Sequence, residues 1–261
     1  MLVGLVLLVL WVPATAQLQQ GRRLLKVLEL PMAPVTAIDG ACVAWHPLQK
    51  KYYAGMAGGK NELMRIFNEK GEPLDSCPTL VNLRGLWYNP IKKVLEGNAL
   101  EHKGWFTYGL GKKGLPEKVT PVFGYDAVGH EQSVGAFLQI DTNNVAAFLF
   151  DITVYFYNLA DGAFILALTL PELYGDAGYE KNEEGLTHTG MVVLGTGMPE
   201  AELALVNVYK RRIDFIKFGK GYSHSLTIPQ DQPVYGAFNT AFCNGILWMY
   251  DQQKKVWNGY Q

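Results

Sequence analysis

Short apolar runs recur along the chain, broken at close intervals by Gly, Pro, Asn and Asp. That rhythm predicts many short strands joined by tight turns rather than helices. Five segments begin alike: Gly40-Ala41-Cys42-Val43, Gly85-Leu86-Trp87-Tyr88, Gly135-Ala136-Phe137-Leu138, Gly185-Leu186-Thr187-His188 and Gly236-Ala237-Phe238-Asn239. Four of them read Gly, then Ala or Leu, then an apolar residue, and Thr187 breaks the rule in the fourth. The glycines are spaced 45, 50, 50 and 51 residues apart. Each start leads into a turn: His46-Pro47, Asn89-Pro90, Asp141 to Asn144, Gly195 to Pro199 and Cys243-Asn244-Gly245. Pro, Asn and Gly recur there because turn positions need a preset or a positive φ.

A second strand comes next in each repeat, at Tyr52 to Ala54, Lys93 to Leu95, Val145 to Phe150, Leu203 to Val208 and Ile246 to Tyr250. A third strand ends in a Gly turn in four repeats, at Gly71, Gly114, Gly162 and Gly219-Lys220-Gly221. The fourth strand precedes a proline in Phe164 to Leu170 and in Ser225 to Ile228, and Leu24 to Leu30 before Pro31 has the same form. Four strands in about 50 residues is the size of a propeller blade. The last repeat supplies three strands, so the N-terminal strand is expected to complete it and close the ring. The expected fold is therefore all-β, a propeller of about five four-stranded blades. A β-sandwich or a two-domain β protein is the rival architecture.

Val43-Ala44-Trp45-His46-Pro47 and Leu86-Trp87-Tyr88-Asn89-Pro90 resemble the WD-repeat and NHL-like propeller class. The resemblance runs from Leu24 to Gln261 and implies the fold alone. No third strand ends in Trp-Asp, and the Gly129-His130 pair falls in a long connection.

Composition adds a destination rather than a chemistry. With 49% apolar and 18% charged residues and a net charge of −1, the 261-residue chain reads as globular, and nothing in it favours nucleic acid. The apolar run from Leu2 to Val12 ends in Pro13 and Ala14-Thr15-Ala16 before Gln17. It is too short to span a bilayer, which takes about 20 residues. Residues 1–16 are expected to be a signal peptide and residues 17–261 a single exported domain, secreted or periplasmic, without a transmembrane anchor. No Lys or Arg precedes the run, a departure from the usual leader. Cys42, Cys77 and Cys243 lack metal-type spacing, and an odd count leaves at least one thiol unpaired.

No nucleophile elbow, metal-binding His-Glu-x-x-His helix or phosphate loop occurs, so no catalytic residue, metal ligand or cofactor is assigned. Asp141-Thr142-Asn143-Asn144 reads as a hairpin turn rather than a calcium loop, and His46 as a turn residue. The lysine pairs Lys50-Lys51, Lys92-Lys93 and Lys112-Lys113 read as solvated charges beside turns. The residues just before the repeat glycines, among them Asp39, Arg84, Glu184 and Tyr235, are expected to ring the mouth of the central channel. Asp126 and Tyr174 sit in the two longest connections, Gly124 to Val134 and Pro171 to Glu184, which should form its rim. Asp39, Arg84, Asp126, Glu184 and Tyr235 are the candidate binding residues, and they suit a small polar ligand, a glycan or a protein partner of a monomer. Two alternatives are a propeller hydrolase, a glycosidase or lactonase, working through Asp39, Asp126 and Glu184, and a structural part of an envelope complex.

Overall fold

The computed structural model describes residues 23–100, 104–122, 134–140, 143–150, 152–175, 188–193, 201–235 and 239–261. The segment read as a signal peptide lies outside them. The strands, in chain order, are β1 (Lys26–Pro31), β2 (Gly40–His46), β3 (Lys51–Met56), β4 (Leu63–Asn68) and β5 (Pro73–Pro78). Then come β6 (Asn82–Asn89), β7 (Val94–Leu100), β8 (Gly104–Leu110), β9 (Pro116–Pro121), β10 (Val134–Ile140), β11 (Asn143–Phe150), β12 (Thr153–Asn158) and β13 (Phe164–Thr169). A short helix α1 (Leu170–Tyr174) leads to β14 (His188–Val193), β15 (Leu203–Asn207), β16 (Arg212–Lys217) and β17 (Gly221–Thr227). The chain finishes with β18 (Thr240–Cys243), β19 (Ile246–Asp251) and β20 (Val256–Tyr260).

These strands make five antiparallel four-stranded sheets, β2-β3-β4-β5, β6-β7-β8-β9, β10-β11-β12-β13, β14-β15-β16-β17 and β18-β19-β20-β1. The innermost strands touch in the cyclic order β2, β6, β10, β14, β18 and back to β2. This is a closed five-bladed β-propeller, and its fifth blade takes its outer strand from the N-terminal side of the chain. Beyond β20 and before β1, Leu25 and Gln261 exchange backbone hydrogen bonds of 2.8 and 3.0 Å, closing the ring where no covalent hairpin exists.

Local chemistry repeats from blade to blade. The third-to-fourth-strand turns place Gly71, Gly114, Gly162 and Gly219 at φ of 72–79°, a left-handed backbone that a side chain disfavours. Three of these turns share one bond pair: the glycine N–H donates back to residue 68, 111 or 158, whose own N–H donates to residue 72, 115 or 163. A bulge follows in every outer strand, with Val27, Leu74, Glu117, Ile165 and Ser223 as the extra residue. Bulges twist an edge and interrupt its ladder, which discourages edge-to-edge association. Where each fourth strand ends, the N–H of Met32, Thr79, Val122, Leu170 or Ile228 donates to the carbonyl of Lys255, Glu62, Trp105, Ile152 or Arg211. These bonds, 2.7–2.9 Å long, tie each exit back to the start of its third strand.

Apolar side chains fill the five seams between blades. Trp87, Trp105, Phe148 and Tyr157 pack between the second and third blades, and Tyr52, Trp248, Tyr250 and Trp257 between the fifth and first. A Cβ on Gly40 would run into the Trp257 ring, so the glycine that opens β2 is required by close packing. Burying such aromatic surface is the main stabilising term. Among the described residues no helix is long and apolar enough to cross a membrane.

Candidate functional site

The inner strands begin on one face, called here the entry face, and the second-to-third-strand turns open on it too. Asp39 immediately precedes β2 and is half-buried at this end of the channel. Its Oδ1 accepts hydrogen bonds from Asn239 Nδ2 at 3.0 Å and from Gln252 Nε2 at 2.6 Å. Both bonds go to Oδ1, which leaves Oδ2 as an acceptor at the mouth. The Asp39 carbonyl accepts from Ala57 N at 2.9 Å, so its backbone is fixed as well.

Asn239 makes this arrangement possible. At φ 62° it adopts the left-handed conformation, which Asn tolerates better than most residues. Its Oδ1 accepts from Gly40 N at 2.8 Å, its N–H donates to Gly40 O at 2.9 Å, and its carbonyl accepts from Tyr250 N at 2.8 Å. One residue thereby joins the fifth and first blades beside the carboxylate. The Tyr235 side chain lies near Gln252, in the β19–β20 turn, and near Asp39. Burial, reinforced by Asp251 and Asp39, raises the Tyr235 pKa, so its hydroxyl stays protonated. The Tyr250 hydroxyl is buried without a hydrogen-bond partner, and burial together with Asp251, Asp39 and Tyr235 pushes its pKa far up. Lys255 Nζ donates to Ala37 O at 2.9 Å and pins the approach to β2.

Of the five residues chosen from the sequence, the structure brings Asp39 and Tyr235 near one another. Arg84 is the third residue of β6, the extra residue of a bulge between Leu83 and Gly85, half-buried and engaged with a neighbouring group. Asp126 and Glu184 lie outside the described residues, so the three carboxylates of the hydrolase alternative yield no measured pair. Tyr174 was expected on the rim and is instead buried. It ends α1, and its hydroxyl donates to Asp214 Oδ2 at 2.9 Å in the seam between the third and fourth blades. Among the described residues no three His, Cys, Asp or Glu side chains gather as a metal site. The thiols of Cys42, Cys77 and Cys243 are free, and burial raises the pKa of all three.

Sequence reasoning missed a second feature of the same face. A groove of about 530 Å³ runs between Pro34-Val35-Thr36, in the connection from β1 to β2, and the entry-face ends of β4 and β5. Asn61, Glu62 and Ser76 offer polar atoms along it. Arg65 Nη1 holds one wall by donating to the carbonyls of Pro31 and Ala33, both at 2.9 Å. The signal available in the sequence was the proline cluster Pro31, Pro34 and Pro78.

No protein-family model and no curated protein sequence matches this chain. Among solved structures it is similar to the β-propeller domain of Cps50 (Swd1) from Myceliophteria thermophila, at 8% identity and a TM-score of 0.46. That likeness covers 89% of this chain and 99% of the other. It is also similar to a protein of unknown function from Bacteroides thetaiotaomicron, at 14% identity and a TM-score of 0.49, over 84% of this chain and 58% of the other. Neither likeness adds to what the sheet topology shows.

Proposed function

We propose that this propeller is an exported binding protein that takes a polar ligand bearing hydrogen-bond donors, a glycan or a cationic peptide segment, at its entry face. The observation that carries the reading is Asp39, a half-buried carboxylate held by two side-chain amides through one oxygen while the other stays available. A pre-organised acceptor of this kind binds without first losing side-chain freedom. Tyr235 beside it offers an aromatic face and a protonated hydroxyl, and the groove over the first blade extends the surface.

Calorimetric titration against a panel of neutral and acidic oligosaccharides and basic peptides tests this. Asp39→Asn should weaken a binder at least about tenfold, a loss of ~1.4 kcal/mol, while the melting temperature stays nearly unchanged. A panel without any binder, or binding indifferent to Asp39→Asn, overturns the reading. Export rests on the apolar run ending in Ala14-Thr15-Ala16. Mass spectrometry of the native protein should find Gln17 or a neighbour at the N-terminus, and intact Met1 on cytosolic material would rule export out.

A further inference from the structure

Two turns on the face opposite the entry face repeat one chemistry. The β2–β3 turn reads His46-Pro47-Leu48-Gln49-Lys50-Lys51, and the β6–β7 turn reads Asn89-Pro90-Ile91-Lys92-Lys93. Each holds an aliphatic tip in solvent between a proline and lysines, Leu48 at 68% exposure and Ile91 at 50%. Neither tip is loose. His46 Nδ1 accepts the Gln49 N–H at 3.3 Å, and Asn89 Oδ1 accepts the N–H groups of Ile91 at 2.9 Å and Lys92 at 3.0 Å. The rings of His46 and Tyr88, 4.9 Å apart, set the two turns side by side. Lys51 Nζ reaches the outer turn of the second blade and donates to Lys113 O at 2.9 Å, which adds Lys112 and Lys113 to the same patch. Lys92 is taken up by the buried Glu96 at 3.2 Å. Lys50, Lys51, Lys93, Lys112 and Lys113 have no ion-pair partner among the described residues, and all but Lys51 are exposed. The acids that border the patch are Glu117, beyond Lys113, and Glu69 and Glu72 in the outer turn of the first blade.

We propose that this face docks on a lipid surface bearing anionic headgroups, with Leu48 and Ile91 entering the headgroup boundary and the lysines lying among the phosphates. Composition selects the partner. Protein interfaces draw on Arg, Tyr and Trp and are depleted in Lys, whereas this patch is built on lysines and aliphatic tips. Lys is a point charge on a flexible stem, so it suits headgroups that move rather than one carboxylate fixed on a partner's surface. The tip of a convex turn buries its apolar atoms by sinking into a fluid boundary, and lysine stems follow it while their ammonium groups stay in water. Docked this way, the propeller turns its entry face away from the lipid. The inference is independent of the entry-face reading.

Co-sedimentation with vesicles of phosphatidylglycerol and phosphatidylcholine tests it, beside vesicles of phosphatidylcholine alone and labelled poly-glutamate as a soluble polyanion. Wild type should partition onto the anionic vesicles, much less onto the neutral ones, and should be released as salt rises. The double variant Lys50→Glu, Lys93→Glu should weaken partitioning at least about tenfold, and so should Lys112→Glu, Lys113→Glu in a separate turn. Leu48→Ser with Ile91→Ser should also weaken it, with the salt dependence unchanged. Ile38→Ser removes a 63% exposed aliphatic side chain from the entry face and should bind like wild type. Wild type that stays in the supernatant, or lysine or aliphatic variants that bind as wild type does, overturns the proposal. Binding to poly-glutamate without binding to vesicles would assign the patch to an acidic protein and overturn it equally.

Discussion

His46 closes β2 with its ring rather than presenting it to solvent. Its Nδ1 accepts the Gln49 N–H at 3.3 Å, and the ring lies 4.9 Å from that of Tyr88 in the next blade. Burial, aided by Lys51, lowers its pKa below the ordinary value. A lowered histidine pKa means that the unfolded chain takes up a proton on acidification before the folded chain does. Stability from this group is therefore complete above about pH 6.5 and falls as pH drops through that value toward the folded pKa. His224, stacked on Phe215 at 4.7 Å with its pKa lowered by burial, acts in the same direction. Melting temperature should accordingly decline between pH 7.5 and 5.5. His46→Asn keeps an acceptor for Gln49 and should flatten that decline without lowering the plateau. An unchanged slope in the variant would show that His46 titrates as it does in the unfolded chain. Buried carboxylates carry further local order that the sequence did not advertise. Glu96 is wholly buried in β7 and accepts from Trp105 Nε1 at 3.0 Å and Lys92 Nζ at 3.2 Å. Lys92 had read as a solvated charge, because nothing in a strand's alternation marks which carboxylate will turn inward.

Strands and turns were legible where one residue type is forced, and illegible where only geometry is. The third-turn glycines were readable because Gly71, Gly114, Gly162 and Gly219 all need positive φ. The bulges that follow were not, because Val27, Leu74, Glu117, Ile165 and Ser223 share no chemistry. The repeat glycines also differ in register: Gly40 opens β2 while Gly85 is the fourth residue of β6. The residue before each glycine therefore falls outside the strand in one blade and inside it in the next. α1 was hidden by its length, since five residues show no helical period. Its caps were in view: Thr169 and Glu172 form a reciprocal capping box around Pro171. Reading that signal would have ended β13 at Thr169 and turned Leu173 and Tyr174 inward.

At the scale of the whole ring, one strand is asked to do more than the others. β1 and its flanks contribute Leu24 to the core between the fourth and fifth blades, and Leu30 and Met32 to the core between the fifth and first. All three side chains are buried, with at most 3% exposure. Burying an aliphatic side chain stabilises by about 1.5–3 kcal/mol, so the three together contribute roughly 5–9 kcal/mol. That approaches the whole stability of an ordinary domain, about 5–15 kcal/mol. The strand also satisfies the edge of β20 through the register from Lys26 opposite Tyr260 to Pro31 opposite Val256. Because no covalent turn joins β20 to β1, the same contacts should form when the strand arrives as a separate molecule. Protein lacking residues 23–32 should be insoluble or lose its cooperative melting. A synthetic peptide of residues 23–32, added during refolding, should restore a soluble protein with a cooperative transition that rises with peptide concentration. The same peptide with Leu30→Asp should fail, since it would bury a charge in the apolar cluster of the closing seam. A truncated protein that melts like the full chain without peptide would show that the ring is held by its other four blades and that β1 is an accessory.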